Sequence, residues 1–372
     1  MKKFVFLFVI FMTLTYSLQA ERKKVGLVLS GGGAKGVAHI GVLKVLERAG
    51  IPVDYIAGTS MGSIVGGLYS IGYDAEMLDS LVKKQNWSFL LSDRVYRYNL
   101  PFSQKETDEK YLVSIPMIGG RRIQVPSGFI SGQNIYNLFS ELTIGYHDSL
   151  SFLTLPIPFS CVAANVVNGK EVVLNKGNLP LAMRSSMAIP GVFAPVRLDS
   201  MLLVDGGIAN NFPTDVGLAM GADIIIGVDV SSELRKRDQL NSVLDILDQL
   251  TSFMGMNKYE DNIKLCDLYI KPDIVPYSAA SFDPEAIDTL IRRGEEAAWA
   301  HWDEFMKLKE QLGLAKTEKA EKKIENKFII TDSLRIGQIL IEGVPAKEEK
   351  WIRKKVHLTE NTDISIGDLH RA

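Results

Sequence analysis

Residues 25–62 read VGLVLSGGGAKGVAHIGVLKVLERAGIPVDYIAGTSMG. The apolar run Val25–Leu29 stops at a glycine turn, Gly31-Gly32-Gly33-Ala34-Lys35-Gly36, and a helical period follows over Val37–Ala49. A second short run, Tyr55–Ala57, then meets a sharp turn, Gly58-Thr59-Ser60-Met61-Gly62, with another helical stretch expected over Met61–Ile71. Alternation of strand and helix points to a parallel α/β sheet. Working outward, further strands are expected at Pro158–Val167, Glu171–Leu174, Leu202–Val204, Ile224–Asp229 and Leu268–Ile270. Helices are expected at Pro213–Met220, Leu240–Met256 and, as one long element, Asp283–Leu312. The β-branched runs suit strands buried on both faces.

The two turns carry the chemistry. Gly58 and Gly62 flank Ser60 in a G-x-S-x-G elbow, which exposes a hydroxyl at the N-terminus of a helix, where the dipole favours developing negative charge. The glycine loop before it offers a nest of backbone N–H donors, and the pair describes an acyl-transfer site better than either motif alone. The loop has a rival reading. Gly31, Gly33 and Gly36 also fit G-x-G-x-x-G, and Asp54 stands 18 residues after Gly36, where a dinucleotide-binding oxidoreductase holds the ribose. Lys35 does not complete a P-loop, because the G-x-x-x-x-G-K-[ST] spacing is missing.

A serine nucleophile needs a base. The five histidines are His39, His147, His301, His357 and His370. The last three lie in the long helix or the tail, and His39 sits on the helix after the glycine loop, where core packing suits it. None stands where an α/β-hydrolase places its histidine, so the sequence favours a serine without one. The acidic candidate is Asp205, which follows Leu202-Leu203-Val204 and opens Asp205-Gly206-Gly207-Ile208-Ala209-Asn210-Asn211-Phe212-Pro213. A carboxylate at a strand's carboxyl end sits where parallel sheets build their sites. An ordinary Asp-Gly turn is the alternative for Asp205, and Asp229 is a weaker second acid.

The remaining features bound the setting. Lys2 and Lys3, an apolar run from Phe4 to Leu14 and Ser17-Leu18-Gln19-Ala20 precede the charged Glu21-Arg22-Lys23-Lys24. That layout is a secretory signal peptide, too short in its apolar part to anchor, with cleavage expected after Ala20. The expected destination is the periplasm, the outer membrane or the medium. The formal charge is −2, and losing Lys2 and Lys3 makes it more negative, so nucleic acid is not an expected partner. Cys161 and Cys266 make no disulfide framework and read as buried small hydrophobes, and neither has a histidine at ligand spacing, so no metal is expected. Residues 86–132 mix Trp87, Phe89, Leu90, Leu91 and Phe102 with Arg94, Arg97, Arg121 and Arg122. That insertion reads either as a lipid-binding lid or as a packed excursion. Ala315–Lys327 is a charged linker, after which Ser333–Val344 has strand character and Ala346–Val356 is an amphipathic helix.

Taken together, Gly31–Gly36 (G-G-G-x-[KR]-G), Gly58–Gly62, Arg184-Ser185-Ser186-Met187-Ala188-Ile189-Pro190-Gly191 and Asp205–Gly207 (D-G-[GA]) resemble the patatin-like phospholipases of bacteria over about residues 24 to 312. The resemblance implies a three-layer α/β sandwich with a mostly parallel central sheet and helices on both faces. It also implies a Ser60–Asp205 dyad, with Gly31, Gly32, Gly33, Ala34 and Lys35 around the oxyanion. Hydrolysis of lipid or phospholipid esters would then need no cofactor, and peripheral membrane contact would follow. In the tail, Ile336–Val344 and the basic helix after it resemble the opening of a POTRA domain. The expected organisation is a signal peptide at 1–20, a hydrolase domain at 21–314, a linker at 315–327 and a partial α+β POTRA-like segment at 328–372. An oxidoreductase using the glycine loop, or a catalytically idle secretion passenger or binding module, remains the alternative at this point.

Overall fold

The computed structural model describes residues 22–95, 117–118, 122–123, 128–146, 148–232, 234, 236–240, 243–314, 333–341, 344–356, 358–365 and 369. The expected signal peptide, most of the 86–132 insertion, the expected linker, His147, His357 and His370 lie outside the described residues. The chain divides into two compact units, residues 1–324 and 325–372.

The first unit is built on eight strands: β1 (Val25–Leu29), β2 (Tyr55–Thr59), β3 (Phe159–Asn165), β4 (Lys170–Leu174), β5 (Val196–Leu198), β6 (Met201–Asp205), β7 (Ile224–Val228) and β8 (Leu268–Ile270). The order is β5-β6-β3-β2-β1-β7-β8, with β4 also paired to β3. Strand period alone sorts the core into two layers. Leu27, Leu29, Ile56, Phe159, Cys161, Ile224 and Ile226 fall into one buried cluster with the helix α1 (Ala38–Ala49). Their neighbours Val28, Ala57, Val162 and Ile225 fall into another with Phe212 and Val216. Both faces are therefore covered, which is the three-layer sandwich. Burial pushes the Cys161 thiol well above its ordinary value, whereas Cys266 is only half-buried and both cysteines are free.

The sheet is mixed in a way that matters for the site. Strands β1, β2, β3, β7 and β8 run parallel to their neighbours in that series, while β4, β5 and β6 are antiparallel. On one edge of β3 lies β4, opposite residues 161–165. On the other edge two strands lie end to end: β2 faces Phe159–Val162 and β6 faces Ala163–Asn165. They run in opposite directions, so their carboxyl ends meet. Thr59 is opposite Val162 and Asp205 is opposite Ala163.

One expectation is corrected. The long helix is two helices, α8 (Pro284–Ala300) and α9 (Trp302–Gln311), because His301 leaves helical geometry at φ −99°. Its carbonyl accepts the Glu304 and Phe305 N–H groups, starting the second helix, on which Phe305 is completely buried. Of the two readings of the insertion, Trp87 follows the packed one: it stacks on Phe282 at 4.6 Å between ring centroids and donates to the Val82 carbonyl. Among the described residues of the insertion, the apolar side chains of Val95 and Phe129 are exposed, the latter at 85%.

The second unit pairs Ser333–Ile336 antiparallel with Thr362–Ser365, with a helix at Ala346–Lys355 between them in the chain. Among the described residues of the expected Ser333–Val344 run, strand structure covers Ser333–Ile336. Among the described residues no helix is long and apolar enough to cross a membrane.

Candidate active site

The end-to-end meeting of β2 and β6 on β3 decides what stands at the sheet's carboxyl edge. Ser60 follows β2 directly and opens the helix α2 (Met61–Ser70), with φ 53° and ψ −122°. A non-glycine residue at positive φ costs about 1–3 kcal/mol and persists only where its surroundings hold it. Here they do. A Cβ on Gly58 would run into the Gly62 carbonyl, and one on Gly62 into the Leu29 and Ser30 carbonyls, so the elbow closes only with glycine at both positions. The Ser60 carbonyl accepts from Ser63 N at 2.9 Å and Ser63 Oγ at 2.6 Å. Its N–H donates to Ser186 Oγ at 2.9 Å. Thr59 Oγ1 donates to the Asn210 carbonyl at 2.8 Å.

Asp205 ends β6 and faces this turn. Ser60 Oγ donates to Asp205 Oδ2 at 2.6 Å, and Asp205 Oδ1 accepts the Gly207 N–H at 2.8 Å. Both side chains are buried, at 5% and 4% exposure. The carboxylate reaches the parallel strands' carboxyl edge because its own strand is antiparallel and stops there, which the argument from parallel sheets had not contained. The geometry suits transfer of the serine proton to a carboxylate in a site from which water is largely excluded.

No described histidine is bonded to Ser60. His39 is fully buried, and its Nε2 donates to the Ser30 carbonyl at 2.9 Å. Burial draws its pKa down to about 4, so the ring is neutral near pH 7. It tethers the start of the glycine loop. His301 pairs with Glu304 at 2.9 Å, away from the core.

The glycine loop borders Ser60, since a Cβ on Gly31 would lie 3.0 Å from Ser60 Cβ and against Asn211 Oδ1. Its donors are not all available. The Gly31 N–H bonds the Asn211 carbonyl at 3.1 Å and the Ala34 N–H bonds the Ala279 carbonyl at 2.9 Å. These two of the five residues expected around the oxyanion hold the loop's shape instead. Lys35 is buried with Nζ donating to Ser232 Oγ at 2.5 Å. Gly32 and Gly33, the latter at φ 58°, take no part in those pairings.

The other acids have different work. Asp229 is fully buried and accepts from Tyr259 and Tyr269 hydroxyls at 2.5 and 2.6 Å and from the Ser231 N–H at 2.8 Å, with Lys271 at 3.4 Å. Burial alone would raise its pKa, but Lys271 and these donors outweigh it and hold it below the usual carboxylate value. It is a structural carboxylate. Asp54, the ribose candidate, sits at the other end of the sheet: it accepts from Val25 N at 2.7 Å and pairs with Arg22 at 2.7 Å. A dinucleotide at the glycine loop would not meet it, and that reading fails on geometry. Among the described residues no group of His, Cys, Asp or Glu is placed to hold a metal ion.

Sequence reading missed two partners. Ser186 lies in the Arg184–Gly191 block, and Asn211 lies six residues past Asp205, with Nδ2 donating to the Gly31 carbonyl at 3.3 Å and to Ser231 Oγ at 2.8 Å. The blocks were visible, but nothing in them says which hydroxyl or amide turns inward.

A family model for patatin-like phospholipases matches residues 27–218, a span that holds the glycine loop, the elbow and Asp205. The chain belongs to the patatin-like phospholipase family. Lysophospholipase NTE1 of Candida albicans is 29% identical to this patatin-like chain over 344 residues, covering 84% of it and 23% of the relative. An uncharacterized NTE family protein of Mycobacterium tuberculosis is 32% identical over 208 residues, 56% of this chain and 49% of the relative. The chain thus spans about a quarter of the one relative and about half of the other. The crystal structure of VipD from Legionella pneumophila aligns over 82% of this chain and 73% of its own, with 14% identity and a TM-score of 0.46.

Proposed function

We propose that this patatin-like chain is an exported serine lipid acyl hydrolase of phospholipase A type, working through Ser60 and Asp205. The observation that carries the reading is the 2.6 Å bond from Ser60 Oγ to Asp205 Oδ2, held on a strained elbow beside the glycine loop. Asp205 takes the hydroxyl proton as Oγ bonds to the ester carbonyl carbon, and the resulting oxyanion is assigned to donors of the glycine loop, with Gly32 and Gly33 as the candidates. Collapse breaks the bond to the leaving alcohol, which receives the proton from Asp205, and water then repeats the sequence on the acyl-serine. The name of the Candida relative, a lysophospholipase, supports a lipid ester as substrate.

The setting belongs to the same proposal. The leader-like residues 1–20 support export to the periplasm, the outer membrane or the medium, and the Ile336–Val344 resemblance supports a POTRA-like segment in the tail. The exposed Phe129 is consistent with peripheral contact with a lipid surface.

The test is intact-protein mass spectrometry after treatment with a fluorophosphonate, alongside hydrolysis of nitrophenyl esters. One adduct is expected on the wild type and none on Ser60→Ala, with hydrolysis lost by at least about 100-fold in Ser60→Ala and in Asp205→Asn. Absence of an adduct on folded wild-type protein would favour the idle passenger. Recovery of the intact leader from cell fractions would refute export.

A further inference from the structure

The Arg184–Gly191 block is not absorbed by the dyad, yet it touches both of its members. Ser186 is the last residue of the helix α5 (Leu179–Ser186) and is fully buried. Its Oγ accepts the Ser60 N–H at 2.9 Å and donates to the Val162 carbonyl at 2.5 Å. Its own carbonyl accepts the Gly206 N–H at 3.2 Å, and two residues on the Ala188 carbonyl accepts the Asp205 N–H at 2.9 Å. Val162 is the residue of β3 at which β2 ends and β6 takes over. One short segment therefore grips the backbone of the nucleophile, the backbone of the acid and the strand on which they meet.

We propose that Ser186 is the positioning residue of this site, an inference that rests on the Ser60–Asp205 reading. Ser186 sets the Ser60 backbone so that Oγ stands within bonding distance of Asp205, and it contacts none of the reacting atoms itself. A hydroxyl has one proton and two lone pairs. With the proton directed to the Val162 carbonyl, a lone pair is left for the Ser60 N–H, so the side chain's orientation is fixed by its two partners. A methyl group satisfies neither partner, and a thiol is a weak donor and acceptor at longer distances. The platform is itself pinned. Asn178 caps the start of its helix by accepting from Leu181 N at 2.9 Å. Buried Arg184 donates to the Ser131 and Ala194 carbonyls at 2.8 and 3.1 Å. Losing the Ser186 hydroxyl frees the Ser60 N–H, and Ser60 can then relax from its φ of 53°, carrying Oγ away from Asp205. A misplacement of about 1 Å can cost about 100-fold in rate.

The experiment titrates reactive serines to endpoint with a fluorophosphonate and measures ester turnover per titrated serine in the full chain. The variants are Ser186→Ala, Ser186→Cys, Ser186→Thr and Ser60→Ala. Turnover per titrated serine should fall about 10- to 100-fold in Ser186→Ala and Ser186→Cys, with KM within about twofold, and stay within about threefold in Ser186→Thr. If Ser186→Ala fails to fold, the nearly isosteric Ser186→Cys supplies the same reading. A packing role predicts the reverse order, with Cys tolerated and Thr harmful. That order, or fewer titratable serines at unchanged turnover each, would overturn the proposal. Hydrolysis surviving in Ser60→Ala would instead remove the dyad and this inference with it, and the two failures are told apart by which variant keeps activity.

Discussion

His39 gives the sharpest quantitative test of a serine site without a histidine. Its ring is completely buried on α1, one nitrogen is bonded to the Ser30 carbonyl, and Nδ1 has no partner among the described residues. Burial lowers its pKa from the ordinary 6.5 to about 4. At about 1.4 kcal/mol per tenfold change in proton affinity, that displacement is worth about 3 kcal/mol. The sign follows from proton counting: between these values the unfolded chain binds a proton that the folded chain refuses, so stability falls as pH falls. The contribution should be complete above about pH 7, erode from pH 6.5 to 4 and be level below. In His39→Gln the amide can still donate to Ser30, but nothing at that position titrates. Urea unfolding followed by tryptophan fluorescence from pH 7.5 to 4.5 should show the wild type losing about 2–3 kcal/mol more than His39→Gln. Ester turnover of His39→Gln at pH 7.5 should stay within about threefold of wild type, where loss of a general base would cost about 100-fold or more. Parallel pH slopes in the two proteins would refute the buried neutral ring. A 100-fold loss at pH 7.5 would refute the claim that the site works without it.

Other expectations separate shape from chemistry. Gly31→Ala places a methyl against Asn211 Oδ1 and 3.0 Å from Ser60 Cβ, so turnover should drop about 100-fold while circular dichroism is unchanged; wild-type turnover would mean that the loop does not shape the site. Asp229→Asn removes a buried charge from Tyr259, Tyr269 and Lys271, and should lower stability by about 3 kcal/mol in urea while Ser60 still takes a fluorophosphonate. Loss of labelling in protein that remains folded would move Asp229 into the catalytic machinery. Phe305→Ala empties a fully buried position under α9 and should cost about 3–5 kcal/mol by the same unfolding assay, a cost that a straight, solvent-facing helix would not show.

The sequence carries the parallel half of the fold almost completely, because β1, β2, β7 and β8 are short apolar runs closed by turn residues. Its silence is physical elsewhere. The period of Asp283–Leu312 is compatible with one helix, and only the burial of Phe305 and Leu308 under a second axis reveals the break at His301. The helices Ala75–Lys84, Gln133–Leu142 and Leu179–Ser186 went unread. The first opens on the cap Asp74 with Glu76 in its first turn, and the last on the cap Asn178 with Pro180 just inside, short signals that do not by themselves set a helix's length. At the site, the glycines and Ser60 are legible since few residue types tolerate their geometry. Ser186 and Asn211 are not, since serine and asparagine are unremarkable until the backbone groups they satisfy are known.

The meeting of β2 and β6 explains why those silent residues gather there. A strand that stops in mid-sheet against another coming the other way interrupts the ladder on one edge of β3, and the backbone groups at the gap need partners from outside it. Ser186 Oγ takes the Ser60 N–H and the Val162 carbonyl, and the Ser186 and Ala188 carbonyls take Gly206 and Asp205. The Asn210 carbonyl takes Thr59 Oγ1. The gap puts a hydroxyl and a carboxylate from two separate strands within 2.6 Å, and the side chains that close it fix that distance. An uninterrupted ladder through β2 would keep these backbone groups paired and leave no place for Asp205 beside Ser60. The break that the site requires is therefore also what recruits the residues that hold it rigid.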